Sequence, residues 1–303
     1  MDQETLRSFS PKHERFIGFD SDGCIFDSME LKHKECFIPN IIQFYDLQSV
    51  SKFAREAAEF VNLYSQWRGT NRFPALVKTI ELLRDWTEVS ARGVRLPDTA
   101  AIEEFIKTAP SLGNPSLEKA IERTGDPALK HCLAWSKAVN KSIEQMVKGL
   151  PPFPAARDSL EKVSGRADTM VVSATPAEAL RREWEEHGIA KFVGLIAGQE
   201  LGKKEEQLGL TTKGKYREGN ILMVGDALGD QKAAKAVGAR FYPVVPGRED
   251  ESWERFRDEI IDEFLEGRYT QAKEVELCAE FTQALPSTPP WKSGARHARS
   301  LRA

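Results

Sequence analysis

The sequence predicts an α/β fold: a parallel sheet flanked by helices, with a large α-helical unit inserted after the first strand. Three observations carry this. A short apolar run, Phe16-Ile17-Gly18-Phe19, closes on Asp20 and reads as a buried strand. Residues from about 30 to 148 then change to helical periodicity. From 155 onward, apolar strand-length runs alternate with amphipathic helices, the pattern of a parallel sheet with crossover connections.

The first strand delivers Asp20 and Asp22 just beyond its carboxyl end, the edge at which open α/β sheets bind ligands. Two carboxylates about 4 Å apart repel by about 4 kcal/mol at an effective dielectric of about 20, so the pair asks for a cation or a shared proton. Gly23 lets the backbone turn sharply and approach a ligand. Asp27 and Ser28 mark the exit into the insertion.

Within the insertion, Phe53, Ala57, Phe60, Val61 and Tyr64 recur at helical spacing, as do Leu76, Ile80 and Leu83, and these stripes read as core. Pro74, Pro97, Pro110, Pro115 and Pro127 divide the segment, and Gly93, Gly113 and Gly125 mark turns. The stretch Gln66 to Pro74 holds two guanidiniums, an amide and an aromatic ring. Arg68, Asn71 and Arg72 are its candidate substrate-binding residues; the competing reading is a solvent-exposed interhelical turn with arginines bonded to carbonyls.

Gly149 to Pro154 is a rigid re-entry. After it come a helix through Leu160 and Val163, a strand at Met170–Val172, a helix from Pro176 to His187, and a strand from Phe192 to Ala197. A charged helix follows, then a strand at Ile221–Val224, a helix from about Asp230 to Val237, and a strand from Phe241 to Val245. Residues 249–285 read as one or two charged amphipathic helices. The expected boundaries are therefore 1–29 for the first part of the core, 30–148 for the helical cap, 149–285 for the second part of the core, and 286–303 for a disordered basic tail carrying Lys292, Arg296, Arg299 and Arg302.

Each later strand ends in a group that suits the first. The run at 170–172 leads into Ser173, Ala174 and Thr175, a hydroxyl and exposed backbone N–H groups before a helix start that favours anions. Ile221–Val224 leads into Gly225, Asp226 and, four residues on, Asp230. With Asp20 and Asp22 these form an oxygen-rich set suited to a hard divalent cation such as Mg2+. Lys203 and Lys204 lie between the two strand ends, with Lys213 and Lys215 farther on; a cation here would offset the carboxylates and hold a phosphoryl group. Spacing favours Lys204.

The ordered set Asp20-Ser21-Asp22, Ser173, Lys204 or Lys203, and Gly225-Asp226 through Asp230 resembles the haloacid dehalogenase (HAD) superfamily, in the phosphoglycolate phosphatase and β-phosphoglucomutase branches with a helical cap after the nucleophile strand. The resemblance covers about residues 14–40 and 150–247. It implies a Rossmann-like core and a HAD-type phosphoric monoester hydrolase. Asp20 would be the nucleophile that forms an aspartyl phosphate, and Asp22 the acid/base. Ser173 and the lysine would hold the phosphoryl oxygens. Mg2+ would be bound by the Asp20 side chain, the Asp22 backbone carbonyl and Asp226, with Asp230 as ligand or support. Gly23 and Ala174 would lie against the substrate. Dehalogenases and phosphonoacetaldehyde hydrolases lack an acid at the second position, so Asp22 favours phosphate-ester chemistry. Phosphomutase activity, or a silent binding protein on the same fold, are the alternatives. Two departures stand out: Cys24, where Thr or Val is commoner, reads as a packing choice, and Gly202 to Glu206 lacks the branch's usual Lys-Pro pair.

The totals narrow the classes further. Of 303 residues, 41% are hydrophobic and 29% charged, and a net charge of -3 argues against general affinity for nucleic acid or anionic membrane. No apolar run reaches the roughly 18 residues of a membrane span, and the polar beginning lacks a signal-peptide core, so a cytoplasmic protein is expected. Four cysteines without a CxxC pair and five histidines without an HxxxH grouping point to reduced thiols and no zinc site. The expected partner is a small phosphorylated metabolite; oligomeric state is open.

Overall fold

The computed structural model describes residues 2–292. The chain divides into two units, one of Met1–Met29 with Gly149–Leu285, the other of Glu30–Lys148 with the described residues from Pro286 onward.

The first unit is built on five parallel strands, β1 (Phe16–Phe19), β2 (Asp168–Val172), β3 (Leu195–Ala197), β4 (Ile221–Gly225) and β5 (Arg240–Pro243), in the order β3-β2-β1-β4-β5. Every residue of β1, β2 and β4 is buried, as expected of parallel strands covered on both faces. Alternation sorts the side chains into two cores. Ile17, Phe19, Val171, Leu222, Val224 and Tyr242 pack with Leu160, Trp184, Trp253 and Phe256 on one face. Phe16, Met170, Val172, Met223 and Phe241 pack with Leu208, Ala233, Ala234 and Phe281 on the other. Gly18 belongs to the second face, where an added Cβ would come within 3.1 Å of Leu208 and 3.2 Å of Met223.

Register sets the site. Phe19 pairs with both Val171 and Val224, and Val172 with Ala197, so Asp20, Ser173 and Asp226 emerge together at the carboxyl edge. Strand ends differ by a few residues from expectation, each with a cause. β2 starts early because the Asp168 carboxylate is satisfied by the Lys12 and His13 amides and the Tyr216 hydroxyl. β3 is shorter because Ala190–Phe192 winds into a 3-10 turn. The helix after β4 begins at Leu228, as Asp230 turns back to accept the Ala227 amide. Residues 249–265 form one helical run with a π-turn at Phe256–Ile260, and a second helix spans Gln271–Ala284.

The second unit is helical around one core that includes Phe60, Phe73, Leu76, Ile80, Leu83 and Trp135. Pro74, Pro115 and Pro127 lie in the first turns of Arg72–Arg84, Asn114–Thr124 and Pro127–Met146, where the missing N–H costs nothing, so they start helices rather than separate them. Gly125 closes a helix at φ 66°.

One expectation is corrected. Residues 286–292, assigned to a disordered tail, are ordered on the helical unit. Trp291 is 8% exposed and stacks on Trp86 with centroids 4.2 Å apart and planes 9° apart, edge-on to Phe60. Lys292 pairs with Asp85 at 2.9 Å. An aromatic ring between polar and basic residues supplies the apolar surface that composition alone discounts. The rest of that tail, with Arg296, Arg299 and Arg302, lies outside the described residues. No helix among the described residues is long and apolar enough to cross a membrane.

Candidate active site

β1 is extended by one bond, Asp20 N–H to Val224 C=O at 2.9 Å, and the chain then folds into a tight loop. The Ser21 carbonyl accepts from the amides of Cys24, Ile25 and Phe26, and Gly23 adopts φ +75°, which only glycine takes cheaply. Gly23 thus shapes the loop, but its amide is already given to the Phe26 carbonyl at 2.8 Å, so the ligand contact expected of it cannot come from that N–H. Two buried tryptophans hold the loop from the sheet's first face. The Trp184 indole donates to Ser21 Oγ at 2.9 Å, and that of Trp253 to the Cys24 carbonyl at 2.8 Å.

Asp20 is 5% exposed. Its Oδ1 accepts from the Ser21 amide at 2.8 Å and its Oδ2 meets Lys204 Nζ at 2.8 Å. The same ammonium lies 2.6 Å from Asp230 Oδ1, and Asp230 Oδ2 accepts the Ala227 amide at 3.0 Å. Ligand oxygens of Asp20, Asp226 and Asp230, all buried, lie within 4.8 Å of one another. Gly225 makes room for this: an added Cβ would stand 2.5 Å from Asp230 Cβ.

Asp22 is half-buried and accepts from the Ser28 hydroxyl through Oδ1 and from Thr175 Oγ1 through Oδ2, the latter at 2.7 Å. Ser173 is buried, and its Oγ accepts the Thr175 amide at 3.1 Å, which leaves the hydroxyl hydrogen to point elsewhere. Ala174 is exposed in the turn between them.

The electrostatics are those of a cluster with too much negative charge. Burial pushes the Asp20 carboxyl well above the usual range; Lys204 pulls it down, and Asp230 and Asp226 push it up again. Burial would press Lys204 toward neutrality, but Asp20 and Asp230 outweigh it and hold the ammonium protonated above the ordinary lysine range. Three carboxylates against one ammonium leave a formal charge of -2, which a divalent cation with oxygen preference would neutralise. The donor set therefore fits such an ion. Cys24 lies beneath, its thiol pushed well up by burial and then by Asp226, Asp20 and Asp230.

Of the candidate lysines, Lys204 alone reaches these carboxylates among the described residues. Lys203 is exposed at the start of its helix, Lys213 is exposed at its end, and Lys215 donates to the Leu6 and Arg7 carbonyls. Arg68, Asn71 and Arg72 are used inside the helical unit. Arg68 is buried and donates to the Leu63 carbonyl at 3.1 Å. Asn71 caps Arg72–Arg84 through Phe73 N–H and donates to the Leu112 carbonyl. Arg72 donates to Ser136 and Asn140 with its guanidinium over Phe37. Arg68 and Arg72 do donate to carbonyls, but Arg68 does so from a buried position rather than a solvent-exposed turn. Sequence reasoning missed Trp184, Trp253 and Gln207, and the bond from Thr175 to Asp22. The tryptophans look like core, and the indole N–H that distinguishes them has no signature in a periodicity.

Three solved structures illustrate what the chain is similar to. A haloacid dehalogenase-like hydrolase from Streptococcus pneumoniae is 15% identical, with 88% of this chain and 98% of that one covered at a TM-score of 0.44. A predicted phosphatase from Clostridium acetobutylicum is 12% identical, with 84% and 98% covered at 0.42. A HAD-superfamily hydrolase of subfamily IA, variant 1, from Geobacter sulfurreducens is 14% identical, with 76% and 86% covered at 0.38. No protein-family model and no curated protein sequence matches the chain. The class rests on this chain's own architecture: five parallel strands, carboxylates at the ends of β1 and β4, a hydroxyl at the end of β2, and a helical unit between β1 and β2. The fold is α/β, a parallel Rossmann-like sheet with a helical unit inserted after its first strand.

Proposed function

We propose that the protein is a Mg2+-dependent phosphatase acting on a small phosphorylated metabolite through an aspartyl-phosphate intermediate. The observation that carries this reading is the contact of Asp20 with Lys204 inside a buried carboxylate cluster, one register step from the Ser173 hydroxyl. A carboxylate held against an ammonium, with one oxygen fixed by its neighbour's amide, is oriented for attack rather than for solvation.

In this reading an Asp20 oxygen forms a bond to phosphorus as the ester P–O bond breaks. Asp22, aimed by Ser28 and Thr175, gives a proton to the leaving oxygen and later takes one from the water that releases phosphate. Ser173 donates its hydroxyl hydrogen to a phosphoryl oxygen, and Lys204 offsets charge on the group in transfer. Asp20, Asp226 and the Asp22 carbonyl would hold the metal, with Asp230 fixing Lys204 and the β4 turn. When bound, the ion supplies charge neutralisation at the phosphoryl oxygens.

The test is a screen of phosphate esters with Mg2+, scored by steady release of inorganic phosphate and run beside Asp20→Asn. Hydrolysis by the wild type and its loss in the variant are expected. Undiminished release by Asp20→Asn overturns the nucleophile assignment; phosphate kept on the product instead of released identifies a mutase.

A further inference from the structure

Gln207 lies one helical turn beyond Lys204 on Lys204–Thr212 and is fully buried. Its Nε2 is 3.0 Å from the Ser173 carbonyl, 3.0 Å from that of Gly198 and 2.9 Å from that of Gly202. Those carbonyls belong to the end of β2, the residue after β3, and the loop that leads into Lys204. Exchanging the amide's oxygen and nitrogen would set an oxygen against three carbonyls, so this orientation is fixed by its surroundings. The two N–H hydrogens serve three acceptors, one of them shared. Oε1, by contrast, is buried with no hydrogen-bond partner among the described residues. A half-satisfied buried amide is costly to keep, and an apolar side chain would fill the space more cheaply.

We infer that Gln207 is a positioning residue, a clamp that fixes the Ser173 turn and the Lys204 loop to each other so that hydroxyl and ammonium address one phosphoryl group. The inference rests on the phosphatase reading for its catalytic meaning. It also gives a physical account of the segment that lacks a Lys-Pro pair: stiffness that a proline would supply through φ comes here from one amide holding three carbonyls.

The test compares Gln207→Met, similar in volume but without donors, with Thr211→Val. The latter removes a buried hydroxyl that bonds the Gln207 carbonyl on the same helix. Amide hydrogen exchange is followed at 173–175 and 198–204, with kcat and KM on a small aryl phosphate in Mg2+. Gln207→Met is expected to speed exchange at both segments together and to lower kcat by about ten-fold or more with little change in KM, whereas Thr211→Val changes neither. Gln207→Glu, which turns a carboxylate on the same carbonyls, is expected to act in the same direction. Unchanged exchange at either segment in both Gln207 variants overturns the clamp, as does, with an active wild type, a kcat no lower than that of Thr211→Val. An inactive wild type whose two segments still loosen together in Gln207→Met would sink the phosphatase reading and leave the clamp standing.

Discussion

Lys204 and Asp20 form an ion pair at 2.8 Å in which the carboxylate is buried and the lysine side chain 19% exposed. Replacing one partner of such a pair is worse than never having built it, because the other charge stays buried and unbalanced. Lys204→Met would leave three carboxylates without their ammonium, at a cost of about 3–5 kcal/mol. The expected outcome is a lower Tm, a fall in kcat of about a hundred-fold or more, and a Tm that climbs more steeply with added Mg2+ than the wild type's. Chelation should lower the wild-type Tm. Thermal melts across a Mg2+ titration check both, and a Lys204→Met protein as stable as wild type would contradict the placement.

Gly225 tests the same cluster from the backbone. Its missing Cβ is occupied by Asp230, whose Cβ, Cγ and Oδ2 would all lie within 2.6 Å of an added methyl. Gly225→Ala must push Asp230 away, and Asp230 carries both the Ala227 amide and one side of Lys204. A loss of about 1–3 kcal/mol in stability is expected from overpacking, with kcat reduced more than ten-fold as Lys204 shifts. Gly209→Ala is the control, since the nearest atom there is 3.6 Å away and belongs to a Val237 methyl. Denaturant melts and kinetics on the pair decide it.

How far the sequence carried can be judged residue by residue. β1 and the aspartates after it were legible because an apolar run closing on carboxylates has few other uses, and parallel strands buried on both faces leave apolar runs that composition reveals. What stayed hidden was polar group allocation. Nothing in Gln66 to Pro74 says that Arg72 spends its donors on Ser136 and Asn140, 64 and 68 positions away. Gln207 stands in a charged helix where a glutamine reads as surface, yet it is fully buried. Trp291 was outweighed by the prolines and basic residues around it. In each case the deciding contacts are made by a single side chain whose partners no period or local motif records.

The thiols should behave as inert packing. Burial raises all four, Cys132 to about 12 and Cys278 to about 11. Raising a thiol's pKa favours the neutral form, so thiolate is scarce at pH 8 and alkylation should accelerate about ten-fold per pH unit toward pH 11 at the half-buried Cys278. Mass spectrometry of native protein treated with iodoacetamide at pH 8 should find Cys278 modified slowly and Cys24 untouched, and all four modified after unfolding. Fast native labelling of Cys24 would show an open, ionised thiol beside Asp20 and refute its role as packing.

Trp291 offers the sharpest test of the ordered end of the described chain. Its ring lies flat on Trp86, itself edge-on to Phe53, and edge-on to Phe60, itself edge-on to Trp67, so five aromatic side chains form one connected group on the helical unit. Trp291→Ala would remove the ring that links the two sides of that group and uncover Trp86. Burial of a ring at 8% exposure, plus its stacking, puts the loss at about 2–4 kcal/mol. Trp291→Phe, which keeps part of the stack, should lose less than half as much. Lys292→Ala, which removes only an exposed ion pair with Asp85, should stay within about 0.5 kcal/mol of wild type. Denaturant melts followed by tryptophan fluorescence measure all three. If Trp291→Ala melted with the wild type, the segment would contribute no stability and the stack would be incidental to the fold.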